Sequence, residues 1–286
     1  MLIELFGGNE KMRCEKINFY FIAVNYNGSN YTKEYVESVV SLNTKEDNIQ
    51  VIIVDNNSKE EDKINLSTLE KNYNNLKIIW LSENLGYFKG LNKGIKSIKK
   101  ARNTTIIAGN NDLTFDLDFL LKFKEIEYDK DVLVIAPNII TKEGRQQNPH
   151  VIEKVSKIEK LKASIYNSNY YVGQTFRFLN QSIKKMRSKP VPLTNSFEQM
   201  KIKRGIGACY ILTPNFFKHF TKLDDRVFMW GEEALLSNQV ESVGGATLYD
   251  PTIKIIHHES ASVKSIESKR KYYTVKESYK IYKKYL

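Results

Sequence analysis

A chain of 286 residues, 41% hydrophobic and 12% aromatic, has ample material for a packed core, which excludes an intrinsically disordered protein. No apolar run approaches the roughly 20 residues that cross a bilayer, residues 1–16 lack the pattern of a signal peptide, and the two distant cysteines, Cys14 and Cys209, exclude a thiolate-built metal site and suit a reducing cytosol. The formal net charge of +11 leaves three partner classes open: nucleic acid, an anionic membrane face or an anionic small substrate.

After an irregular leader over 1–16, the apolar run Ile17 to Val24 predicts a strand buried on both faces, closed by the turn Asn25-Tyr26-Asn27-Gly28. Tyr35, Val36, Val39, Val40 and Leu42 recur at helical spacing. Ile49 to Val54 predicts a second strand ending in Asp55-Asn56-Asn57-Ser58, followed by a helix carrying Ile64, Leu69 and Tyr73. Leu76 to Leu81 predicts a third strand ending in Ser82-Glu83-Asn84-Leu85-Gly86, and Gly90 to Ala101 a basic helix. Thr104 to Ala108 is a β-branched run that breaks into Gly109-Asn110-Asn111-Asp112. A helix over Leu117 to Ile126 and a strand over Val132 to Ala136 follow.

Alternating strand and helix predict an α/β fold with a mostly parallel twisted sheet covered by helices on both faces. Four successive strands end in polar loops, and strand ends of a parallel sheet share one edge, so these loops converge on a cleft. Asp112 then stands at the cleft rim with Asn110 on the same side of the chain. Such oxygens suit Mg²⁺ or Mn²⁺, with phosphate and water completing the shell; the same tripeptide is also ordinary turn chemistry.

From Thr141 to Arg204 the pattern fails, apart from a candidate helix over Val151 to Tyr166. Ile206 to Leu212 predicts a strand and Asn215 to Phe220 a short helix. After Phe228-Met229-Trp230-Gly231-Glu232-Glu233, a helix runs through Val240 to Gly244-Gly245. Two short strands around Pro251 end in His257-His258, and a basic, tyrosine-rich tail fills Lys264 to Leu286.

Seven stretches in order, VNYNG, IIVDNNS, ENLGYFKGLNKGI, GNND, GACYIL, WGEEALL and IIHHESAS, resemble family 2 glycosyltransferases, in particular the rhamnosyltransferase-like branch of bacterial surface polysaccharide synthesis. The resemblance runs from Ile17 to about Tyr273. It implies a GT-A fold: a nucleotide-sugar half over 17–140, an acceptor half with the base motif over 141–262, and a basic helical tail over 263–286. It also implies a donor carrying UDP or dTDP, inverting transfer to a polysaccharide or lipid-linked saccharide, and a divalent metal, Mn²⁺ or Mg²⁺.

The residue roles follow the resemblance. Asp55 is expected to meet the base through its N3–H, with Tyr26 and Asn27 beside it; an Asp there also caps a helix. Asn84 and Gly86 are expected at ribose or base, and Asn92 and Lys93, read as a helix start, at sugar or phosphate. Asn110 and Asp112 match the metal motif, and His257 a late histidine that completes it; His258 faces the other way. Glu233 occupies the position of the general base, with Glu232 as fallback. Phe228 and Trp230 are candidates to floor the acceptor site. Leu235 and Gln239 stand where the family often carries a second acid and an Arg.

The tail is expected either to rest on an anionic leaflet or to cover the sheet. The chain is thus expected to work in the cytoplasm, peripheral to the membrane if the tail rests on it, and without nucleic acid. One alternative is a sugar-1-phosphate nucleotidyltransferase, although Asn25 to Asn30 lacks the Gly-rich basic loop that chemistry needs. The other is a basic nucleic-acid binder, which no motif supports.

Overall fold

The computed structural model describes residues 17–42, 47–99, 103–175, 198–259 and 268–286. The expected leader, Cys14, the helix end at Ala101, residues 176–197 of the unassigned segment and the start of the tail lie outside the described residues. The first half of the chain folds as β1 (Asn18–Asn25), α1 (Ser29–Val40), β2 (Asn48–Asp55), α2 (Glu60–Asn72), β3 (Leu76–Trp80), α3 (Tyr87–Lys96) and β4 (Thr104–Asn110). Each helix crosses over a face of the sheet, so the strands it links run parallel, in the order β3-β2-β1-β4. Along them alternate residues feed two cores. Phe19, Phe21, Val51, Ile53 and Ile107 pack under α1 and α2, whereas Ile22, Ile52, Val54, Ile106 and Ala108 pack under α3.

The second half contains β5 (Leu113–Phe115), α4 (Phe119–Lys124), β6 (Val132–Thr141), α5 (Lys157–Tyr166), β7 (Met200–Ile202), β8 (Cys209–Leu212), α6 (Phe216–His219), α7 (Glu232–Glu241), β9 (Ala246–His257) and α8 (Ser268–Tyr282), with a 3-10 turn over Lys283–Tyr285. The sheet continues as β8-β6-β9-β5, and β7 adds to β9. Here the sheet becomes mixed, because β8 runs antiparallel to both β4 and β6. That reversal places the loop before β8 beside the end of β4, with Cys209 opposite Gly109. β6 and β9 are parallel to each other, and Thr141 pairs with His257 at their ends. His257 therefore reaches the same rim as the ends of β1, β2 and β4.

Several elements differ from expectation. The two strands around Pro251 are one, β9, and a register shift between Pro137 and Asn138 leaves Pro251 outside the ladder. α3 begins at Tyr87 rather than Gly90. α5 begins at Lys157, where Ser156 and Glu159 form a reciprocal cap. No helix among the described residues is long and apolar enough to cross a membrane.

Candidate active site

The loops after β1 and β2 are locked together by one buried amide. Asn25 donates to Asp55 Oδ1 at 2.9 Å, Ser58 Oγ at 3.0 Å and Asp62 Oδ2 at 2.7 Å. Its own oxygen accepts from Thr32 and Asn111, each at 3.0 Å. Asp55 is fully buried, and its two oxygens also take the Ser58 amide at 3.0 Å and hydroxyl at 2.5 Å. The carboxylate expected to face a base is thus spent on capping its own loop; burial of a charge demands such partners. Asn27, at φ 53°, accepts from the Lys59 amide at 2.8 Å, which turns its side chain toward the same loop. Tyr26 stands exposed at the rim.

The residues expected at the nucleotide after β3 make contacts within the protein. Asn84 Oδ1 accepts from the Gly86 amide at 2.9 Å, closing a turn. Gly86, at φ +87°, has no ligand-sized space beside it: a Cβ there would lie 2.1 Å from the Phe228 carbonyl oxygen. Its glycine is required by protein packed against protein. Asn92 and Lys93 sit in the second half of α3, not at its start, so the helix amides do not face a phosphate there. Asn92 is buried and fully used, donating to the Leu223 carbonyl and Asp225 Oδ2, each at 2.9 Å, and accepting from the Leu223 amide at 2.9 Å. Lys93 is exposed. Gln239 braces the same loop, accepting from the Asp224 amide at 2.9 Å and donating to the Lys222 carbonyl at 2.8 Å.

The metal candidates do meet. His257 Nε2 lies 3.3 Å from Asp112 Oδ1 and 3.3 Å from Asn110 Nδ2. On the other side of the ring, Nδ1 is 2.7 Å from Gln147 Oε1, and the Gln147 amide donates to Glu259 at 2.9 Å. That second bond fixes which end of the amide faces the histidine. Nδ1 therefore carries the hydrogen, and in the neutral ring Nε2 presents its lone pair toward Asp112, the tautomer a metal ligand needs. His258 turns away, with Nε2 3.2 Å from Thr114 Oγ1 and Nδ1 3.1 Å from Glu34. Burial pushes its imidazole pKa down. Among the described residues no group of three or more His, Cys, Asp or Glu side chains could hold an ion unaided. One carboxylate and one imidazole fit Mn²⁺ or Mg²⁺ only if the diphosphate and water supply the remaining positions.

The base candidates open α7. Glu232 is buried, and burial, then the charge of Glu233, pushes its carboxyl pKa up to about 8. Glu233 is half-buried and lies against Gly207, where a Cβ would come 2.7 Å from its Oε1. Gly207 also accepts the Tyr87 hydroxyl at 2.6 Å, and the next residue, Ala208, accepts the Asn110 amide at 2.9 Å. The base and metal candidates are thus joined through one short loop. Tyr87, which sequence reasoning passed over, sits at its centre. Its hydroxyl pKa is driven far up, first by burial and then by the neighbouring Cys209, Glu232, Glu233 and Asp112. Phe228 is exposed, and Lys271 lies 5.5 Å from the Trp230 ring centroid. A hollow of about 400 Å³ lined by Lys203, Ser237 and Glu241 contains none of the predicted site residues.

Parallel half, mixed half and shared rim make this a GT-A fold, the class of glycosyltransferases built on one nucleotide-binding α/β sheet. Solved structures share it. GalNAc-T7 with UDP, GalNAc and Mn²⁺ superposes with a TM-score of 0.58 at 14% identity, over 85% of this chain and 44% of that one. The mannosyltransferase PcManGT of Pyrobaculum calidifontis, with GDP-Man and Mn²⁺, gives 0.54 at 9% identity, over 87% and 59%. S. aureus TarS 1-349 gives 0.51 at 13% identity, over 85% and 60%. The chain spans less than two thirds of the length of each. No curated protein matches it. Within that class the chain belongs to glycosyl transferase family 2, whose model it matches over residues 20–187.

Proposed function

We propose that this protein is an inverting, metal-dependent glycosyltransferase that moves a sugar from a UDP- or dTDP-sugar to a hydroxyl of a polysaccharide or lipid-linked saccharide. The observation that carries the reading is that Glu233 lies against Gly207 while the adjoining Ala208 holds the Asn110 amide, beside the Asp112–His257 pair. Asp112, His257 and Asn110 are the residues placed to hold a divalent cation, which when bound neutralises charge developing on the diphosphate. Burial and the charge of Glu233 push the Glu232 carboxyl pKa up, which favours its protonated form. That leaves Glu233 to accept the proton of the acceptor hydroxyl. The hydroxyl oxygen then attacks the anomeric carbon opposite the diphosphate, the bond to the diphosphate breaks, and configuration inverts without a covalent enzyme intermediate.

Tyr26, exposed beside the capped Asp55 loop, is the best placed side chain to stack on the base, and Phe228 and Trp230 to pack on an acceptor sugar. A rhamnose-type donor, a surface-polysaccharide acceptor and a cytoplasmic site of action rest on the motif resemblance and on cysteine usage. The test starts with thermal shift against UDP, dTDP and GDP with and without Mn²⁺, then follows hydrolysis of the best sugar nucleotide. Asp112→Ala and Glu233→Gln should each cut turnover by a factor on the order of 10² or more while leaving the melting cooperative. Near-normal turnover in both would remove the assignment, and pyrophosphate release from a nucleoside triphosphate would replace it with nucleotidyl transfer.

A further inference from the structure

The turn that delivers the two glutamates is held in an unusual shape. Trp230 has φ 66° and Gly231 φ 102°, two successive left-handed residues immediately before α7. A bulky residue persists in that region only where its surroundings impose it. The surroundings here are supplied by α8. The Tyr282 ring lies on Gly231 so closely that a Cβ there would come 2.1 Å from Cδ1. Ser278 is buried and donates its hydroxyl to the Met229 carbonyl at 2.7 Å. Lys271 covers the Trp230 ring. Beyond the helix, the Tyr285 carbonyl accepts from buried Arg204 at 2.9 Å. The contacts of Tyr282, Ser278 and Lys271 all fall on residues 229–231.

The same contacts answer the question of what the basic tail does. Tyr272 is buried against Tyr166 and Tyr170, at 5.8 and 5.3 Å between ring centroids. Tyr272 and Tyr282, near the two ends of the helix, are therefore both packed against protein. A mere cover would need no hydroxyl aimed at a turn carbonyl and no ring seated on a glycine that cannot carry a side chain.

We propose that α8 is a working part of the active site, with Tyr282 and Ser278 as positioning residues that impose the Trp230–Gly231 turn and thereby aim Glu233 at the reacting hydroxyl. This rests on reading Glu233 as the general base. Neither positioning residue touches the nucleotide rim formed by the ends of β1, β2 and β4. Their loss should therefore damage turnover and spare nucleotide binding.

The experiment compares Tyr282→Ala, Tyr282→Phe and Ser278→Ala with the unaltered protein and with Glu233→Gln. UDP and dTDP affinity is measured in Mn²⁺ by calorimetry. Turnover is read as hydrolysis of the sugar nucleotide, with water in place of the acceptor. Tyr282→Ala should lower kcat at least tenfold and change diphosphate affinity less than twofold. Tyr282→Phe, which keeps the ring, should restore kcat to within twofold. Ser278→Ala, the milder change, should lower kcat three- to fivefold and serves where Tyr282→Ala does not fold. Unchanged kcat in both Tyr282→Ala and Ser278→Ala, with Glu233→Gln inactive, overturns the role of α8 alone. So does a loss of diphosphate affinity in step with kcat. Full turnover in both Glu233→Gln and Glu232→Gln takes down the base assignment and this proposal with it.

Discussion

Gln147 shows how much of the candidate metal site lies outside the residues proposed to hold the ion. It fixes the tautomer of His257 from a loop beyond β6, 110 residues away in sequence. Glu259, which accepts from the Gln147 amide and is ion-paired to Arg145, in turn fixes Gln147. Removing that outer partner lets the ring rotate or change tautomer. Gln147→Leu is expected to weaken Mn²⁺-dependent UDP or dTDP binding by roughly tenfold, with metal-free binding unchanged, as titration calorimetry with and without chelator will show. A glutamine in an unassigned segment carries no sequence signal for this role. The paired histidines did carry one, because alternation along a strand sends them to opposite sides.

At the scale of elements, α3 is the instructive case. Its first residue, Tyr87, faces the acids, whereas Asn92 in its second half bolts the helix to the loop over 222–225. Asn92→Ala leaves the Leu223 amide and carbonyl buried without their partner. It should cost about 1–3 kcal/mol of stability, read from denaturant unfolding, and leave nucleoside diphosphate affinity unchanged. A loss of affinity in the folded variant would return Asn92 to the nucleotide site. The parallel strands and their helices were legible because each spans several turns or pleats of consistent pattern. β5 and β7 were not, at three residues each, since so short a run shows no period. The antiparallel sense of β8 is likewise invisible locally, because an apolar run reads the same in either direction.

At the scale of the whole molecule, the buried acid makes stability depend on pH. Glu232 titrates near its ordinary 4.5 when unfolded and at about 8 when folded. Between those values the native state binds more protons than the unfolded one, so stability falls as pH rises through that window and levels off above it. Thermal melts from pH 5 to 8 should show this decline, and Glu232→Gln should flatten it. A slope that survives the substitution would assign the effect to other groups. Arg204, Tyr210 and Tyr282 also face this pair, and burial together with the charge of Glu233 holds the Tyr282 hydroxyl up at about 12. The cluster is therefore a shared electrostatic environment rather than two independent carboxyls.

The sequence by itself determined the alternation of strands and helices, the convergence of their polar ends, and the order of motifs that marks family 2. These are local patterns, written in the period of apolar residues and in turn chemistry. Only the tertiary structure decided how the polar side chains at that rim are divided between ligand and protein. Asp55, Gly86 and Asn92 look alike available in one dimension, yet Asp55 is held by its own loop and by Asn25, while the fold brings Phe228 against Gly86 and Leu223 to Asn92. The reason is physical: a buried donor or acceptor takes whichever partner folding presents, and for most of these residues that partner is more than a hundred residues away in the chain.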